Sequence, residues 1–404
     1  MEYGLLGKKL GHSFSPEIHG YFGGYAYGLF EKSEEELGAF LTDGAWNGLN
    51  VTIPYKKAVI PYCDELSERA CGIGSVNTIY RRNGRIYGDN TDYDGFLYMV
   101  RELGVSVSGK KALILGNGGA SLAVRAVLRD LGAAKLVVIS RTGEDNYDNI
   151  QRHYDADIIV NATPVGMYPD NGNAVISLKN FTNCTAVLDL IYNPLKTVLI
   201  LEAEELKISC AGGLSMLVAQ AKRACELFLD TRIDDARTEE VIKKLRGRVQ
   251  NIALIGMPGC GKTTVGRELA KRLAKTFVDI DEVITMRAGK SIPQIFADSG
   301  EAAFRKMETE VLREFSKEKG QVLATGGGIV TTLDNRALLR QNSTVIYIDR
   351  SIDELPTDGR PVSQSRSLHR IYDERVQAYR TWSDFTVKNT EASACVEKIT
   401  EVLL

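Results

Sequence analysis

The sequence has no long apolar run, no excess of charge of either sign and no closely spaced pair of cysteines. No stretch reaches the roughly 18 consecutive apolar residues of a membrane helix, and the opening MEYGLLGKKLGHSFSP lacks the apolar core of a signal peptide. Fifty basic and 52 acidic residues leave a net charge of −2, which gives no electrostatic basis for binding nucleic acid or an acidic membrane. Seven cysteines without a C-x-x-C pair indicate reduced thiols. These absences predict a cytoplasmic protein.

The chain is too long for one hydrophobic core, and its pattern divides into three blocks. Its 404 residues favour two or three domains, and 38 glycines with 44% hydrophobic residues are typical of an α/β protein rich in loops. The first block ends near residue 96, and the third begins near Val249. Before that point, residues 230–250 place Val241, Ile242 and Leu245 on one helical face. We expect an amphipathic helix docked on the first block there, and a solvated linker is the alternative.

The third block opens with a phosphate-binding loop. Residues 255–265 read IGMPGCGKTTV, which matches G-x-x-x-x-G-K-[ST] between an apolar run and a helical pattern. Backbone N–H groups of such a loop converge on phosphate oxygens at a helix N-terminus. Lys262 is expected to reach the β- and γ-phosphates, and Thr263 is expected to hold Mg²⁺. The block is therefore predicted to bind a nucleoside triphosphate, with contacts from Gly259, Cys260, Gly261, Lys262, Thr263 and Thr264.

The second block has the pattern of a dinucleotide-binding domain. Strands alternate with helices from residue 111 onward, which predicts a parallel, doubly wound sheet. The first strand is followed by GNGGAS, where Gly116 would make the turn and Gly118 and Gly119 would let the backbone approach a pyrophosphate. The second strand ends in Ser140-Arg141-Thr142 rather than in an acidic residue. Because an arginine at that point fits a 2′-phosphate, the pattern favours NADP over NAD.

Four loop motifs in the first block gather hydroxyls, amides, one lysine and two aspartates. They are HSFSP (12–16), LNVTIPYK (49–56), GSVNT (74–78) and GDNTD (88–92). Such groups on loops suit a small polyhydroxylated ligand. A lysine and an aspartate that converge in a pocket can serve proton transfer. The alternative for any one motif alone is a set of turn residues with a surface salt bridge.

Together with NATPVGM (161–167) and GGLSMLVAQ (212–220), these motifs resemble shikimate dehydrogenase in kind and order across about residues 3–246. The resemblance implies hydride transfer from NADPH to the C3 ketone of 3-dehydroshikimate, with Lys56 as the proton donor and acceptor paired with Asp92. The substrate contacts that it implies are Ser13, Ser15, Thr52, Asn77, Tyr192 and Gln220. The cofactor contacts that it implies are Gly116, Asn117, Gly118, Gly119, Ala120, Ser140, Arg141, Thr142, Gly213 and Met216.

One segment departs from that family. Its NADP-type enzymes usually add a second basic residue shortly after the arginine, whereas residues 143–146 here are Gly-Glu-Asp-Asn. Arg141 is therefore the one evident clamp for a 2′-phosphate in the sequence. A quinate/shikimate dehydrogenase that uses NAD is the rival interpretation.

In the third block two carboxylates, Asp279 and Asp281, follow an apolar run in FVDID. Side chains two apart on a strand share a face, so we expect both to point into the cleft above the phosphate loop. SGEAAFRKME (299–308), QVLATGGG (321–328), GRP (359–361) and DERV (373–376) follow, and this order resembles shikimate kinase across about residues 249–390.

That second resemblance implies a role for each motif. Asp281 would bind the substrate hydroxyls and help to deprotonate the attacking one, and Asp279 would lie by Mg²⁺. The predicted substrate contacts are Arg305 and Arg375 on the carboxylate, with backbone N–H groups of Gly327 and Gly328, and Arg360 would reach the ATP phosphates from a lid. The chain departs from the family at Gln377, where a proline is usual, and in a shorter segment between Asp349 and Arg360.

The expected architecture is α/β throughout. A substrate-binding α/β domain (1–96 with 220–246) and a Rossmann-type NADP domain (97–219) precede a P-loop, nucleoside-monophosphate-kinase-like α/β domain (249–404). The two enzymes would catalyse successive steps on small-molecule substrates, and the oligomeric state stays open. A non-catalytic sensor of shikimate or quinate is the alternative from another class, and it should have lost Lys56, Asp92, Lys262 or Asp281, all of which are present. A different small-molecule kinase also stays open.

Overall fold

The computed structural model describes residues 2–11, 13–355 and 367–403, and it has a mixed α/β fold. The chain forms two compact units. The first comprises Met1–Tyr192 and Thr197–Leu245, and the second comprises Asn193–Lys196 and Arg246–Leu404. None of the helices in the described ranges is both long and apolar enough to cross a bilayer. The division of the first unit into two domains stays a prediction.

The first unit begins with a six-stranded mixed sheet. Its strands are β1 (Glu2–Gly7), β2 (Tyr27–Glu31), β3 (Trp46–Val51), β4 (Glu65–Leu66), β5 (Thr78–Arg82) and β6 (Arg85–Asp89), in the order β2-β1-β3-β5-β6-β4. The helices of this part are α1 (Ser15–Gly23), α2 (Glu34–Asp43), α3 (Glu68–Ile73) and α4 (Asp92–Leu103). Strands β5 and β6 are antiparallel because Asn83 and Gly84, both with positive φ, form a two-residue hairpin turn.

A second sheet of the same unit is entirely parallel, as predicted. Its strands are β7 (Lys111–Leu115), β8 (Lys135–Ile139), β9 (Ile158–Asn161), β10 (Ala186–Asp189) and β11 (Ser209–Gly212), in the order β11-β10-β9-β7-β8. The helices that follow these strands are α5 (Gly119–Asp130), α6 (Val198–Glu205), α7 (Leu214–Leu229) and α8 (Asp235–Val249). Strands β9 and β10 are buried along their whole length, which is the pattern of a sheet with helices on both faces.

The segment between the second and third blocks is a helix, as predicted. In α8 the side chains of Val241, Ile242 and Leu245 are buried. Arg237 at its N-terminal end donates to the backbone oxygen of Tyr21 in α1 at 3.2 Å. The amphipathic helix is therefore docked on the first block, and the linker interpretation is wrong.

The second unit is built on a five-stranded parallel sheet. Its strands are β12 (Asn251–Ile255), β13 (Thr276–Asp279), β14 (Gln321–Ala324), β15 (Ser343–Asp349) and β16 (Phe385–Lys388), in the order β13-β14-β12-β15-β16. Its helices are α9 (Lys262–Arg272), α10 (Ile280–Ala288), α11 (Ile292–Phe315), α12 (Asp334–Arg340), α13 (Leu368–Trp382) and α14 (Ala392–Leu403). Strand β12 lies between β14 and β15, so the loop that follows it opens at the middle of the sheet, where α/β proteins bind ligands.

Candidate active sites

Polar side chains of the first unit line one cavity of about 260 Å³. Its wall contains every residue of this unit that was predicted to bind substrate or to move a proton: Ser13, Ser15, Thr52, Lys56, Asn77, Asp92, Tyr192 and Gln220. Three predicted cofactor residues, Ala120, Gly213 and Met216, line the same cavity. The structure therefore brings together motifs that are up to about two hundred residues apart in the chain.

A lysine–aspartate ion pair lies in the wall of this cavity. Lys56 Nζ donates to Asp92 Oδ2 at 2.5 Å, and Asn77 Nδ2 donates to Asp92 Oδ1 at 2.9 Å. Asp92 is the first residue of α4, where the helix dipole also favours a negative charge. Both carboxylate oxygens have partners, so the lysine is held beside a fixed anion in a geometry suited to proton transfer.

The same lysine lies beside the predicted dinucleotide loop. A Cβ atom on Gly119 would be 3.8 Å from Lys56 Cδ. Gly116 has a φ of 100°, which favours glycine and allows the tight turn after β7. A Cβ atom on Gly213 would be 2.1 Å from the backbone oxygen of Leu190, so a side chain at this position would force the two segments apart.

The remaining predicted cofactor residues lie outside the cavity, at the end of two neighbouring strands. Gly116, Asn117, Gly118 and Gly119 follow β7, and Ser140, Arg141 and Thr142 follow β8. Strands β7 and β8 pair in parallel, so both loops leave the same edge of the sheet. Arg141 and Thr142 are accessible to solvent there, as a clamp for a bound phosphate would be.

The acidic segment after Arg141 is folded back on itself. Ser140 N donates to the backbone oxygen of Asp145 at 3.2 Å, and Asp145 Oδ1 lies 2.8 Å from Nε2 of the buried His153. The Asp145 carboxylate is therefore engaged by His153, whereas Glu144 is exposed beside the turn. The missing second basic residue remains a departure from the family pattern, with Asp145 held by His153 and Glu144 exposed.

A second cavity, of about 410 Å³, lies at the phosphate loop of the second unit. The predicted residues in its wall are Gly259, Gly261, Lys262, Thr263, Thr264, Asp279, Asp281, Arg305, Gly327, Gly328 and Arg375. Cys260 is not among them, because it is fully buried beneath the loop and its backbone oxygen accepts from Asn389 Nδ2 at 2.7 Å. The Cys260 side chain therefore lies outside the cavity wall, and the predicted contact of this residue with the nucleotide stays a prediction.

The phosphate loop is held in a compact form by its own lysine. Lys262 Nζ donates to the backbone oxygens of Gly256 and Met257, each at 2.9 Å. Gly259 and Gly261 have φ values of 85° and 99°, which a residue with a side chain rarely adopts. The lysine ammonium is thus fixed at the mouth of helix α9, where anions are favoured.

Asp279 and Asp281 both reach the cavity, but not from one strand. Strand β13 ends at Asp279 and α10 begins at Ile280, so the strand-alternation argument is wrong. Asp279 is the N-cap of α10 and accepts from the backbone nitrogens of Asp281 and Glu282 at 3.0 and 3.3 Å. The first helical turn, rather than strand alternation, brings Asp281 to the same cavity.

Two side-chain oxygen atoms are hydrogen-bonded to each other at the predicted Mg²⁺ site. Thr263 Oγ1 donates to Asp279 Oδ2 at 2.7 Å. A hydroxyl and a carboxylate are the hard oxygen ligands that Mg²⁺ prefers. Within the described ranges no group of three or more histidine, cysteine or acidic residues forms a metal site. The two residues fit an ion that takes its remaining ligands from water and phosphate.

Asp281 lies in an unusual electrostatic environment beside Glu308. Burial, followed by the charges of Glu308 and Asp279, raises the pKa of Asp281 to about 7. Asp281 Oδ1 and Glu308 Oε1 make no hydrogen bond within the described part of the chain. A Cβ atom on Gly326 would be 2.8 Å from the first and 2.4 Å from the second, so a glycine is needed there. Asp281 therefore has the pKa of a general base that works near neutral pH.

Two arginines lie at the other side of this cavity. Arg305 donates to Glu308 Oε2 at 2.7 Å and to the more exposed Glu301 at 3.1 Å. Arg375 is buried, and its Nη1 donates to the backbone oxygen of Gly327 at 3.0 Å. The sequence interpretation missed Glu308, although its position one helical turn after Arg305 on α11 was an available signal.

The lid predicted around Arg360 lies outside the described residues. A third cavity of about 450 Å³ adjoins the phosphate-loop cavity, and Arg350 lines both. Its wall also includes Tyr372, Asn389 and Thr390, of which Asn389 is the side chain that holds the Cys260 backbone. Gln377 lies within α13, so the missing proline leaves that helix continuous.

Comparison with known proteins agrees with both sites. Residues 5–79 match the family model for the shikimate dehydrogenase substrate binding domain, and residues 258–404 match the model for shikimate kinase. A protein named shikimate dehydrogenase (NADP(+)) from Clostridium beijerinckii is 37% identical over 259 residues, which cover 59% of this chain and 95% of that protein.

Two solved structures resemble the same part of the chain. A chorismate mutase/shikimate 5-dehydrogenase fusion protein from Clostridium acetobutylicum matches with a TM-score of 0.58 and 36% identity, over 60% of this chain and 96% of that one. A shikimate 5-dehydrogenase from Thermus thermophilus, in complex with NADP(H) and shikimate, matches with a TM-score of 0.55 and 31% identity, over 60% and 99%. The chain therefore belongs to the shikimate dehydrogenase family in its N-terminal part and carries a shikimate kinase domain after it, which makes it a bifunctional enzyme of the shikimate pathway.

Proposed function

We propose that the first unit reduces 3-dehydroshikimate to shikimate with NADPH and that the second unit phosphorylates the 3-hydroxyl of shikimate with Mg·ATP. The observation that carries the proposal is the convergence of Lys56, Asp92 and the predicted hydroxyl ligands on one cavity beside the dinucleotide loop. The product of the first reaction is the substrate of the second, and the two motif sets were identified independently.

In the dehydrogenase, Lys56 gives a proton to the carbonyl oxygen during reduction and takes it back in the reverse direction. Asp92 holds the ammonium in place and is itself held by Asn77. Ser13, Ser15, Thr52, Tyr192 and Gln220 surround the substrate's hydroxyls and carboxylate. The cofactor, when bound along Gly116–Ala120 and Ser140–Thr142 with its ring by Gly213 and Met216, supplies the hydride.

In the kinase, Asp281 accepts the proton of the attacking hydroxyl, for which a pKa near 7 is well suited. Arg305 and Arg375, with the backbone of Gly327 and Gly328, bind the substrate carboxylate. Lys262 exchanges its carbonyl contacts for phosphate oxygens, and Thr263 with Asp279 holds Mg²⁺, which neutralises phosphate charge when bound. The cavity shared through Arg350 accepts the nucleoside part of ATP.

The rivals differ in what they require of this chain. A sensor without catalysis does not need the Lys56–Asp92 ion pair or a buried Asp281 with a raised pKa. An NAD-dependent quinate/shikimate dehydrogenase would be favoured by the exposed Glu144, which lies close to Arg141 in sequence. We place the enzyme in the cytoplasm with small molecules as its partners, because seven cysteines without a C-x-x-C pair indicate reduced thiols.

A single coupled assay tests the proposal. The purified chain is given 3-dehydroshikimate, NADPH and Mg·ATP, and NADPH loss and ADP formation are followed together. We expect ADP to form only after NADPH is consumed, unless shikimate is added directly. Shikimate-independent ADP formation, or NADPH loss without ADP, would contradict one half of the proposal and leave the other half standing. Repeating the assay with NADH in place of NADPH, and following the reduction of NAD⁺ with quinate as the substrate in the reverse direction, decides the rival dehydrogenase.

A further inference from the structure

A buried carboxylate that has no role in the mechanism above lies at the end of β10. Asp189 is the last residue of that strand, and its side chain is completely buried. Burial raises its pKa, and hydrogen bonds from Thr197, Ile191 and Asn161 oppose the rise. No charged group in the described part of the chain contributes. Because a buried carboxylate without a cation costs free energy, stability alone does not account for an aspartate here.

Both oxygen atoms of Asp189 accept hydrogen bonds. Oδ1 accepts from Asn161 Nδ2 at the end of β9 and from the backbone nitrogen of Ile191, each at 3.0 Å. Oδ2 accepts at 2.6 Å from Oγ1 of Thr197, the N-cap of α6. An asparagine has only one acceptor oxygen and would turn an N–H group toward Thr197. The carboxylate therefore ties together the end of β9, the segment after β10 and the start of α6.

The segment that follows Asp189 forms part of the dehydrogenase cavity. Leu190 and Tyr192 both line it, and Ile191 lies between them. The backbone nitrogen of Ile191 donates to Asp189, and its backbone oxygen accepts from Gly213 N at 2.9 Å. Gly213 lines the same cavity and was predicted to lie beside the nicotinamide. A displacement of Ile191 would therefore move Tyr192 and Gly213 as well.

The end of β9 supports the predicted dinucleotide loop. The Asn161 amide has one orientation, because its Nδ2 faces Asp189 and its Oδ1 accepts from the backbone nitrogen of Thr163 at 3.0 Å. Thr163 Oγ1 donates to the same oxygen at 2.7 Å. The Thr163 methyl group packs on Gly116, where a Cβ atom would lie 2.8 Å from it. Through Asn161 and Thr163, Asp189 is thus connected to the turn of the dinucleotide loop.

We propose that Asp189 is a positioning residue of the dehydrogenase, which holds the segment of Tyr192 in a fixed place relative to the dinucleotide loop. This inference rests on the proposed function for the two ligands that are held in this way. Hydride transfer needs the donor carbon of the cofactor and the acceptor carbon of the substrate close together and aligned, and a misplacement of about 1 Å can lower a rate about 10²-fold. Because Asp189 is enclosed by protein, it acts on the rate only through its neighbours.

The first test is the rate of hydride transfer in a single turnover of the full chain. NADPH is mixed with excess enzyme and saturating 3-dehydroshikimate, and its absorbance is followed. The rate constant at saturation does not depend on the fraction of enzyme that is folded. We expect Asp189→Ala to lower it about 10²-fold, and Asp189→Asn, which keeps an acceptor for Asn161 and Ile191, to lower it only about 3- to 10-fold.

Asp157→Ala is the matched control. Asp157 accepts from the backbone nitrogen of Lys111 at 2.9 Å, at the opposite edge of the same sheet. Its loss should lower Tm and leave the rate constant unchanged. If Asp189→Ala does not fold, Thr197→Val replaces it, because that variant removes the donor to Oδ2. Thr197→Ser keeps the hydroxyl and should restore the rate constant that Thr197→Val loses.

The second test needs no ligand and no turnover. Hydrogen exchange of the unliganded protein reports how firmly the backbone amides of Ile191, Gly213 and Thr163 are held. We expect these amides to exchange about tenfold faster or more in Asp189→Ala, as for the loss of a hydrogen bond, and at the parental rate in Asp157→Ala.

Four outcomes overturn the inference: a parental rate constant in the Asp189 variants, an equal loss in Asp157→Ala, unchanged exchange of the three amides, or a Thr197→Val variant that lowers Tm alone. Failure of the proposed function has a different signature, because the parent then leaves 3-dehydroshikimate unreduced. The exchange measurement still decides in that case whether Asp189 holds the two segments together.

Discussion

The two active sites of this chain differ in how completely a buried carboxylate is paired. In the dehydrogenase, Asp92 has a partner on each oxygen, Lys56 on one and Asn77 on the other. In the kinase, Asp281 lies beside a second buried carboxylate, Glu308, and each has an oxygen without a hydrogen bond among the described residues. The carboxylate of the first site is fully paired within the protein. The carboxylates of the second site are fully paired only when cationic or proton-donating ligands bind.

The difference follows from what each carboxylate does. In the proposed mechanism Asp92 keeps a lysine in position, and its two hydrogen-bond partners serve that role. In the proposed mechanism Asp281 takes a proton from a hydroxyl, and a fully paired carboxylate would be too weak a base for that step. Burial and a like charge raise its pKa, at a cost to the stability of the fold around it.

The largest effect should come from removing the charge that the dehydrogenase has paired. Lys56→Ala is expected to lower the rate of NADPH oxidation about 10²–10⁴-fold, because it removes the group that protonates the substrate oxygen. Shikimate-dependent ADP formation should stay within about twofold, since Lys56 lies in the other unit. The exposed neighbour Lys57→Ala is the matched control and should leave both rates unchanged. A Lys56→Ala variant that keeps half of the dehydrogenase rate would contradict the proposed role of Lys56.

The second prediction concerns the unpaired carboxylate of the kinase. Asp281→Asn should lower phosphoryl transfer about 10²-fold or more and yet stabilise the second unit. The folded pKa, about 7, is higher than the roughly 3.9 of an unfolded aspartate, so the contribution of this group to stability is fully present below pH 4 and is lost as pH rises through 7. The pKa difference sets an upper limit of about 4 kcal/mol on that loss at pH 8, and because the variant escapes it we expect a gain of at least about 2 kcal/mol there and little at pH 4.

Thermal unfolding of the parent and of Asp281→Asn at both pH values measures this effect. A gain of about 2 kcal/mol corresponds to roughly 4–8 °C for a unit of this size. The exposed Asp298→Asn is the control and should show no such pH-dependent gain. In the parent, kcat/KM for shikimate should also fall as pH drops below about 7, because protonated Asp281 cannot accept the hydroxyl proton. Equal unfolding temperatures of the parent and Asp281→Asn at pH 8 would show that the Asp281 carboxylate does not lower the stability of the fold.

A third prediction sharpens the role of Glu308. Glu308→Gln keeps the volume but removes the charge that orients Arg305 and that contributes to the raised pKa of Asp281. We expect the KM for shikimate to rise about 3- to 10-fold, and the acid limb of the kcat/KM profile to move to lower pH. Glu301→Gln, which removes the more exposed partner of Arg305, should change the KM less and leave the pH profile in place. If the pH profile of Glu308→Gln equals that of the parent, the charge of Glu308 does not contribute to the pKa of Asp281.

The sequence predicted features that are local in the chain better than those that depend on packing. The phosphate loop, the parallel second sheet and the helix at residues 235–249 were found because each is a continuous pattern. The hairpin of β5 and β6 was signalled by Asn83-Gly84, a signal that was not used. Asp281 was placed on a strand because the end of β13 falls two residues earlier than the pattern suggests.

Two site residues were missed for a related reason. Glu308 and Asn50, which lines the dehydrogenase cavity, both lie inside motifs that were identified, but each matters only through what tertiary packing places against it. Strand alternation around Leu49 and Val51 would have put Asn50 on the face opposite the core. No sequence rule would have shown that Glu308 lies beside Asp281, because that contact joins the middle of α11 to the start of α10.

The smallest predicted effect concerns the acidic side chains that follow Arg141 at the surface of the dehydrogenase. Glu144 is exposed close to Arg141, whereas Asp145 is engaged by His153. Glu144→Gln should therefore raise kcat/KM for NADPH about 2- to 5-fold at low salt, because it removes repulsion from the 2′-phosphate, and the gain should shrink at high salt, where exposed charges are screened. Asp145→Asn should change NADPH use less, since that carboxylate is engaged by His153.

Steady-state kinetics with NADPH and NADH at two ionic strengths measures both effects. If the two variants behave alike, the orientation of Asp145 does not matter and the acidic run acts as a whole. If only Glu144→Gln responds, and NADH use is unchanged in both, Arg141 is a sufficient clamp because one of its two acidic neighbours is held by His153.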